Sequence, residues 1–212
     1  MCLGTICSMP MVGSLGSISE PRTLPTAYWP SFRWCIALLK NDIEAIEIGE
    51  RFEKQSFRNR CSILGPNGPQ LLVVPLRHQG HRSTAEQYIS YAEDWRKQHR
   101  KALETAYGRS PFFAYMQSDI ARLYEQKPEA LSDLNRLTQN LIALWIQWTL
   151  PPLQRSSTLL PSLPETGIYR VEDPAPHYRQ LFGDRHGFVP NLSAIDLISN
   201  EGPGAYSVLH GL

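Results

Sequence analysis

No stretch of this sequence is apolar for the ~18–20 residues that a membrane-crossing helix needs. The richest run, LIALWIQW at 141–148, is less than half that long. An excess of one charge is missing too. Lys and Arg total 21 against 20 Asp and Glu, a net charge of +1. That leaves no global field to draw in nucleic acid or a membrane surface, so any anion must be held by a local cluster. Cysteine is scarce: Cys2, Cys7, Cys35 and Cys61, with no C-x-x-C pair. The usual zinc and redox motifs are thereby removed. Cys35, in an apolar helical run, and Cys61, on one strand face with Phe57 and Ile63, read as small buried apolar residues of a reduced cytoplasmic protein. His78 and His81 form an isolated H-x-x-H, weak as a metal motif. No Gly-rich phosphate loop, G-x-S-x-G elbow or dinucleotide fingerprint is present. No metal and no organic cofactor are expected.

What is present is a strand-rich beginning and a helical remainder. Leu24 to Tyr28 reads as a first strand. Pro30 suits the first turn of a helix, FRWCIALLKN, ending near Asn41. Ile43 to Ile48 is β-like. Asp94 to Tyr107 places Trp95, His99, Leu103 and Ala106/Tyr107 on one helical face, with Gly108 as its stop. Ser110 and Pro111 look like the cap and first residue of a second helix. A third is expected from Pro128, with Leu131, Leu134, Leu137, Leu141, Leu144, Trp145 and Trp148 as a broad apolar face. Tyr178–Phe182 and Asn191–Ser199 look like short helices. Strands early and helices late point to α+β, or a small α/β layer fold.

The most informative stretch is Phe52 to Pro75, FEKQSFRNRCSILGPNGPQLLVVP. It reads as two strands joined by a tight Gly/Pro/Asn loop. A period of two puts Lys54, Ser56, Arg58, Arg60 and Ser62 on one face, and Phe57, Asn59, Cys61 and Ile63 on the other. Arginines at i and i+2 on one strand face can grip a diphosphate. The competing reading is a solvated face with ion pairs to Glu44, Glu47 or Glu50.

QSFRNR followed by an NG loop and LLVVP resembles the WbqC-like family, in its Bacteroidetes-type form. WRKQHRKALETAYGRSPFF at 95–113, LYEQKPEALSDLN at 123–135, GFVPNLSAIDLISNEGPGA at 187–205 and TAYWPSFRWCIALLKND at 26–42 agree with it. The resemblance covers residues 23–207, in order. Residues 21–212 are accordingly read as one WbqC-like domain with a Pro-rich loop at 151–176, and residues 1–20 as a disordered extension. The resemblance implies bacterial surface-polysaccharide (O-antigen) biosynthesis. The expected role is a group transferase acting on a nucleotide-activated or lipid-linked sugar. The alternative is a non-catalytic anion- or sugar-binding or assembly protein of the same pathway.

The candidate binding residues are Lys54, Arg58, Asn59, Arg60, Asn191, Asp196 and Asn200; the candidate acid–base residues are His99 and Glu201. His99 sits on the apolar face of its helix, where a buried, hydrogen-bonded histidine is the competing reading. Glu201 stands at a helix C-terminus, where the macrodipole disfavours an anion, so a partner is expected for it. The expected ligand is a small anion or nucleotide sugar, not nucleic acid. No oligomeric state follows from the sequence.

Overall fold

The computed structural model describes residues 23–40, 42–78, 80, 82–156 and 177–211. The 1–20 extension, His81 and most of the Pro-rich loop lie outside these residues. The fold is α+β. Strand β1 (Thr23–Pro25) leads through helix α1 (Phe32–Lys40) to β2 (Ala45–Glu47), which pairs parallel to it with Leu24 opposite Ile46. Parallel strands need such a crossover. A third parallel strand, β5 (Leu153–Gln154), adds to the other side of β2, giving the order β1-β2-β5. All three residues of central β2 are buried.

Strands β3 (Arg60–Gly65) and β4 (Gly68–Val73) form an antiparallel hairpin with Arg60 opposite Val73. The NG turn closes it, and Gly68 takes φ 107°, a value side chains other than hydrogen rarely allow. The strand begins later than the period-two pattern suggests. Residues 54–58 form turns, so Arg58 and Arg60 do not share a strand face.

Helix α2 (Trp95–Tyr107) is capped by the Asp94 side chain, which accepts from the Lys97 N–H. Its buried stripe is the expected one: Trp95, His99, Leu103, Ala106 and Tyr107. That stripe lies on the hairpin, where the Leu64 N–H donates to the Tyr107 hydroxyl. Helix α3 (Phe113–Glu125) begins later than expected, because Ser110 and Pro111 are spent in a turn.

Helix α4 (Leu131–Trp145) buries Leu131, Ser132, Leu134, Asn135, Thr138, Gln139, Ile142 and Ala143. Its deepest face is therefore partly polar. Leu137 and Leu141 are only partly buried, and Leu144 is 63% exposed, so the leucine stripe is turned partly outward. Among the described residues, three short helices follow: α5 (Gly183–His186), α6 (Ala194–Glu201) and α7 (Gly204–His210). Residues 178–182 are not helical; Gly202 ends α6 and α7 begins two residues later at Gly204. Among the described residues, no helix is long and apolar enough to cross a membrane.

Candidate functional site at the strand ends

The three parallel strands end at one edge, at Pro25, Glu47 and Gln154. In open sheets built from such units, ligands bind outside the carboxyl ends of the strands. Here that edge is occupied by the loop 26–31, which bonds to β2, to the segment before β3, to α4 and to residues 192–194. Thr26 N–H donates to the Glu47 carbonyl, Tyr28 N–H to the Phe57 carbonyl and Trp29 N–H to Thr138 Oγ1. From the other side, Ala194 N–H donates to the Pro30 carbonyl and Phe32 N–H to the Leu192 carbonyl. Trp29 is held at φ 39°, in the left-handed region, with its ring stacked on Trp145 at 6.0 Å. A bulky residue there is strained, and surrounding contacts must over-determine it.

The polar face of α4 supplies those contacts. Gln139 Nε2 donates to Thr26 Oγ1 (3.0 Å) and to the Ala27 carbonyl (3.1 Å), and Asn135 Nδ2 to the Arg58 carbonyl (2.8 Å). Asn59 Nδ2 donates to the Val74 carbonyl. Each amide nitrogen faces an oxygen, which fixes the amide's orientation. Each amide oxygen is then stranded: Asn59 Oδ1, Asn135 Oδ1 and Gln139 Oε1 are buried with no hydrogen-bond partner. Arg60 Nε and Asn191 Oδ1 share that condition. An unmet buried polar atom costs about 1–3 kcal/mol. A cluster of them on segments that meet at one loop calls for hydroxyl or water partners.

Two buried acids border the same edge. Glu47 Oε2 accepts from the Ser156 hydroxyl at 2.7 Å, and its Oε1 from the Gly49 and Ser156 N–H groups. Glu50 Oε1 lies 2.6 Å from an Arg58 terminal nitrogen, with both side chains fully buried.

The structure sorts the sequence candidates into groups. Arg58 lies near the strand-end loop, through the Phe57 carbonyl that takes the Tyr28 N–H and its own carbonyl that takes Asn135 Nδ2; Asn59 and Arg60 follow it into the hairpin. Asn191 joins them through the segment in which Ser193 N–H donates to the Ser62 carbonyl, and it too holds a left-handed φ of 62°. Arg58 lies in the turn before β3 rather than on the strand, and it is buried with its charge matched by Glu50, one of the three acids considered as partners. Lys54 is exposed.

His99 belongs to a buried relay. Trp29 Nε1 donates to the Tyr124 hydroxyl (2.9 Å), which donates to Tyr28 (2.6 Å), which donates to His99 Nδ1 (2.9 Å). The other ring nitrogen meets the Val73 carbonyl. Burial pushes the imidazole down to about 4, against the opposing pull of Val73, so it is neutral at pH 7.

Asp196, Asn200 and Glu201 form a separate group on α6. Asp196 is buried and accepts from Tyr178 OH at 2.7 Å; burial pushes it up to about 6, although Tyr178, Tyr107 and Gln180 favour its charged form. Asn200 Nδ2 donates to the Asp196 carbonyl. Glu201 Oε1 accepts the Arg179 N–H at 3.4 Å. Asp196 and Glu201 tie the 177–189 segment to α6, while Asn200 also meets Ser110. Gln139, Asn135, Thr138 and Glu47 were not among the sequence candidates. The signal for three of them was a recurrence of polar residues along α4, which a hydropathy pattern assigns to solvent.

Residues 27–171 match the sequence profile of the WbqC-like protein family. The chain belongs to the WbqC-like family. The match takes in the strand-end loop, Arg58–Arg60, the polar face of α4 and His99, and stops before α6. The chain is also similar to the uncharacterized protein Rv1507c of Mycobacterium tuberculosis (strain ATCC 25618 / H37Rv). The two are 29% identical over 193 residues, covering 73% of this chain and 82% of that one. No solved structure matches it.

Proposed function

We propose that this WbqC-like protein serves bacterial surface-polysaccharide biosynthesis by binding an activated sugar at the carboxyl edge of its parallel sheet. One observation carries the reading. Four amide oxygens, on Asn59, Asn135, Gln139 and Asn191, are buried and unpartnered around one loop. Stranded acceptors suit a ligand rich in hydroxyl donors, which a sugar is. Arg60, whose Nε is likewise unpartnered, would take an anionic oxygen of the activating group. The reading gives His99 no proton-transfer role, because both its ring nitrogens are engaged within the core. Asp196 and Glu201 hold the 177–189 segment rather than the sugar, and Asn200 is spent on the Asp196 carbonyl and Ser110.

Group transfer to that sugar is the second reading. It is favoured by Glu47, a buried carboxylate at the end of β2. The test is a thermal-shift screen of nucleotide sugars, sugar 1-phosphates and the corresponding free nucleotides. A ligand of the folded state raises the melting temperature by mass action. Sugar-bearing compounds should raise it more than the nucleotides alone. Equal shifts from both would show that the sugar is not what the site reads.

A further inference from the structure

A second feature lies away from the strand ends, on the outside of the α2–α3 pair. A groove of about 400 Å³ runs between these helices, lined by Arg96, Lys97, Arg100 and Lys127 with only Asp94 and Glu125 of opposite sign. Four cations against two acids is a local excess in a chain whose overall balance is +1. We propose that this groove binds the phosphate or diphosphate of an anionic ligand.

The arrangement differs from a solvated basic face in one respect: a cation is fixed in place. Arg96 donates through one terminal nitrogen to the Tyr124 carbonyl (2.9 Å), and its guanidinium lies 5.5 Å from the Tyr91 ring centroid. A guanidinium held this way loses little further freedom on meeting an anion, which lowers the cost of binding. Lys97 and Lys127 are exposed, and no described carboxylate lies within ion-pair distance of either. Arg100 is partly balanced by Glu104 at 3.6 Å. Asp94 already accepts from the Lys97 N–H as the helix cap. The groove floor includes Tyr124, whose hydroxyl takes the Trp29 indole N–H. The site is independent of the strand-end amides and uses none of their residues.

Two sources carry this chemistry: a nucleoside diphosphate and a phosphate-bearing lipid headgroup. The experiment is titration calorimetry of the full chain with inorganic pyrophosphate at low salt, using wild type, K97E/K127E and, as a charge control outside the groove, K40E. All three substituted lysines are exposed, so melting temperatures should agree across the set. The expected result is pyrophosphate binding that weakens at least tenfold in K97E/K127E and less than threefold in K40E. UDP and phosphatidylglycerol vesicles then separate the sources, since whichever competes with pyrophosphate in wild type and not in K97E/K127E identifies the headgroup or the nucleotide. Wild type that takes up no pyrophosphate, or a loss equal in K40E and K97E/K127E, would overturn the proposal.

Discussion

Glu50 and Arg58 meet at 2.6 Å with neither side chain exposed, so the arginine offered by the sequence as an anion ligand already has its anion. Removing one partner strands the other charge in the interior, at a cost of about 3–5 kcal/mol. Arg58→Met and Glu50→Met should each lose stability on that scale in urea denaturation. The double replacement should recover much of the loss, because two apolar side chains leave no orphan charge. Single variants within ~1 kcal/mol of wild type would mean the pair is hydrated in solution.

His99 and Asp196 should oppose each other as pH falls. The histidine drops from an ordinary 6.5 to about 4, so its contribution is whole above 6.5 and is lost as pH falls towards 4. The aspartate rises from 3.8 to about 6. Its ionised form is the one penalised by burial, so folding gains as pH falls from 6 towards 3.8. At 1.36 kcal/mol per unit, each effect is worth about 3 kcal/mol at most, and the signs are opposite. Between pH 7 and 4.5, Asp196→Asn should lose more stability than wild type, and His99→Gln should lose less or gain. Urea midpoints at the two pH values check this. Parallel responses of the two variants would break the assignment.

The α4 face can be calibrated by truncation. Ile142 is 2% exposed and Leu144 63%. Ile142→Ala should cost about 2–5 kcal/mol, and Leu144→Ala no more than ~0.5 kcal/mol. Partly buried Leu141 should fall between them. A costly Leu144→Ala would reveal a contact that the isolated chain does not show.

Gly202 ends α6 at φ 54°, and a Cβ there would overlap the Phe112 ring. Gly202→Ala therefore combines backbone strain with a clash. It should destabilise by more than ~1 kcal/mol, read as a lowered melting temperature.

Much of the frame was legible in the sequence because it rests on apolar periodicity. The α2 stripe from Trp95 to Tyr107, its stop at Gly108 and the NG hairpin follow from local chemistry alone. Arg58 was misplaced because alternation ran on through a turn, and alternation cannot say where pairing begins. Strand β5 was invisible because two residues beside prolines carry no pattern; it exists through pairing with Ile46 and Glu47. The site escaped for a related reason. Gln139 and Asn135 are buried by hydrogen bonds to Thr26, Ala27 and Arg58, residues far away in sequence. A polar residue looks the same in sequence whether water or a distant carbonyl satisfies it.

The central claim is that unpartnered groups around the strand-end loop hold an activated sugar. Its most direct measurement is titration calorimetry of the best ligand from the screen with wild type, Arg60→Ala and Asn191→Gly. Glycine keeps the left-handed backbone that Asn191 adopts, so only the amide is lost. Loss of a charge-assisted hydrogen bond is worth about 1.5–3 kcal/mol, one to two decades in affinity. The account predicts that Arg60→Ala weakens binding by that much, that Asn191→Gly weakens it by about tenfold, and that both melt near wild type without ligand. Unchanged affinity in both variants, with folding intact, would contradict it.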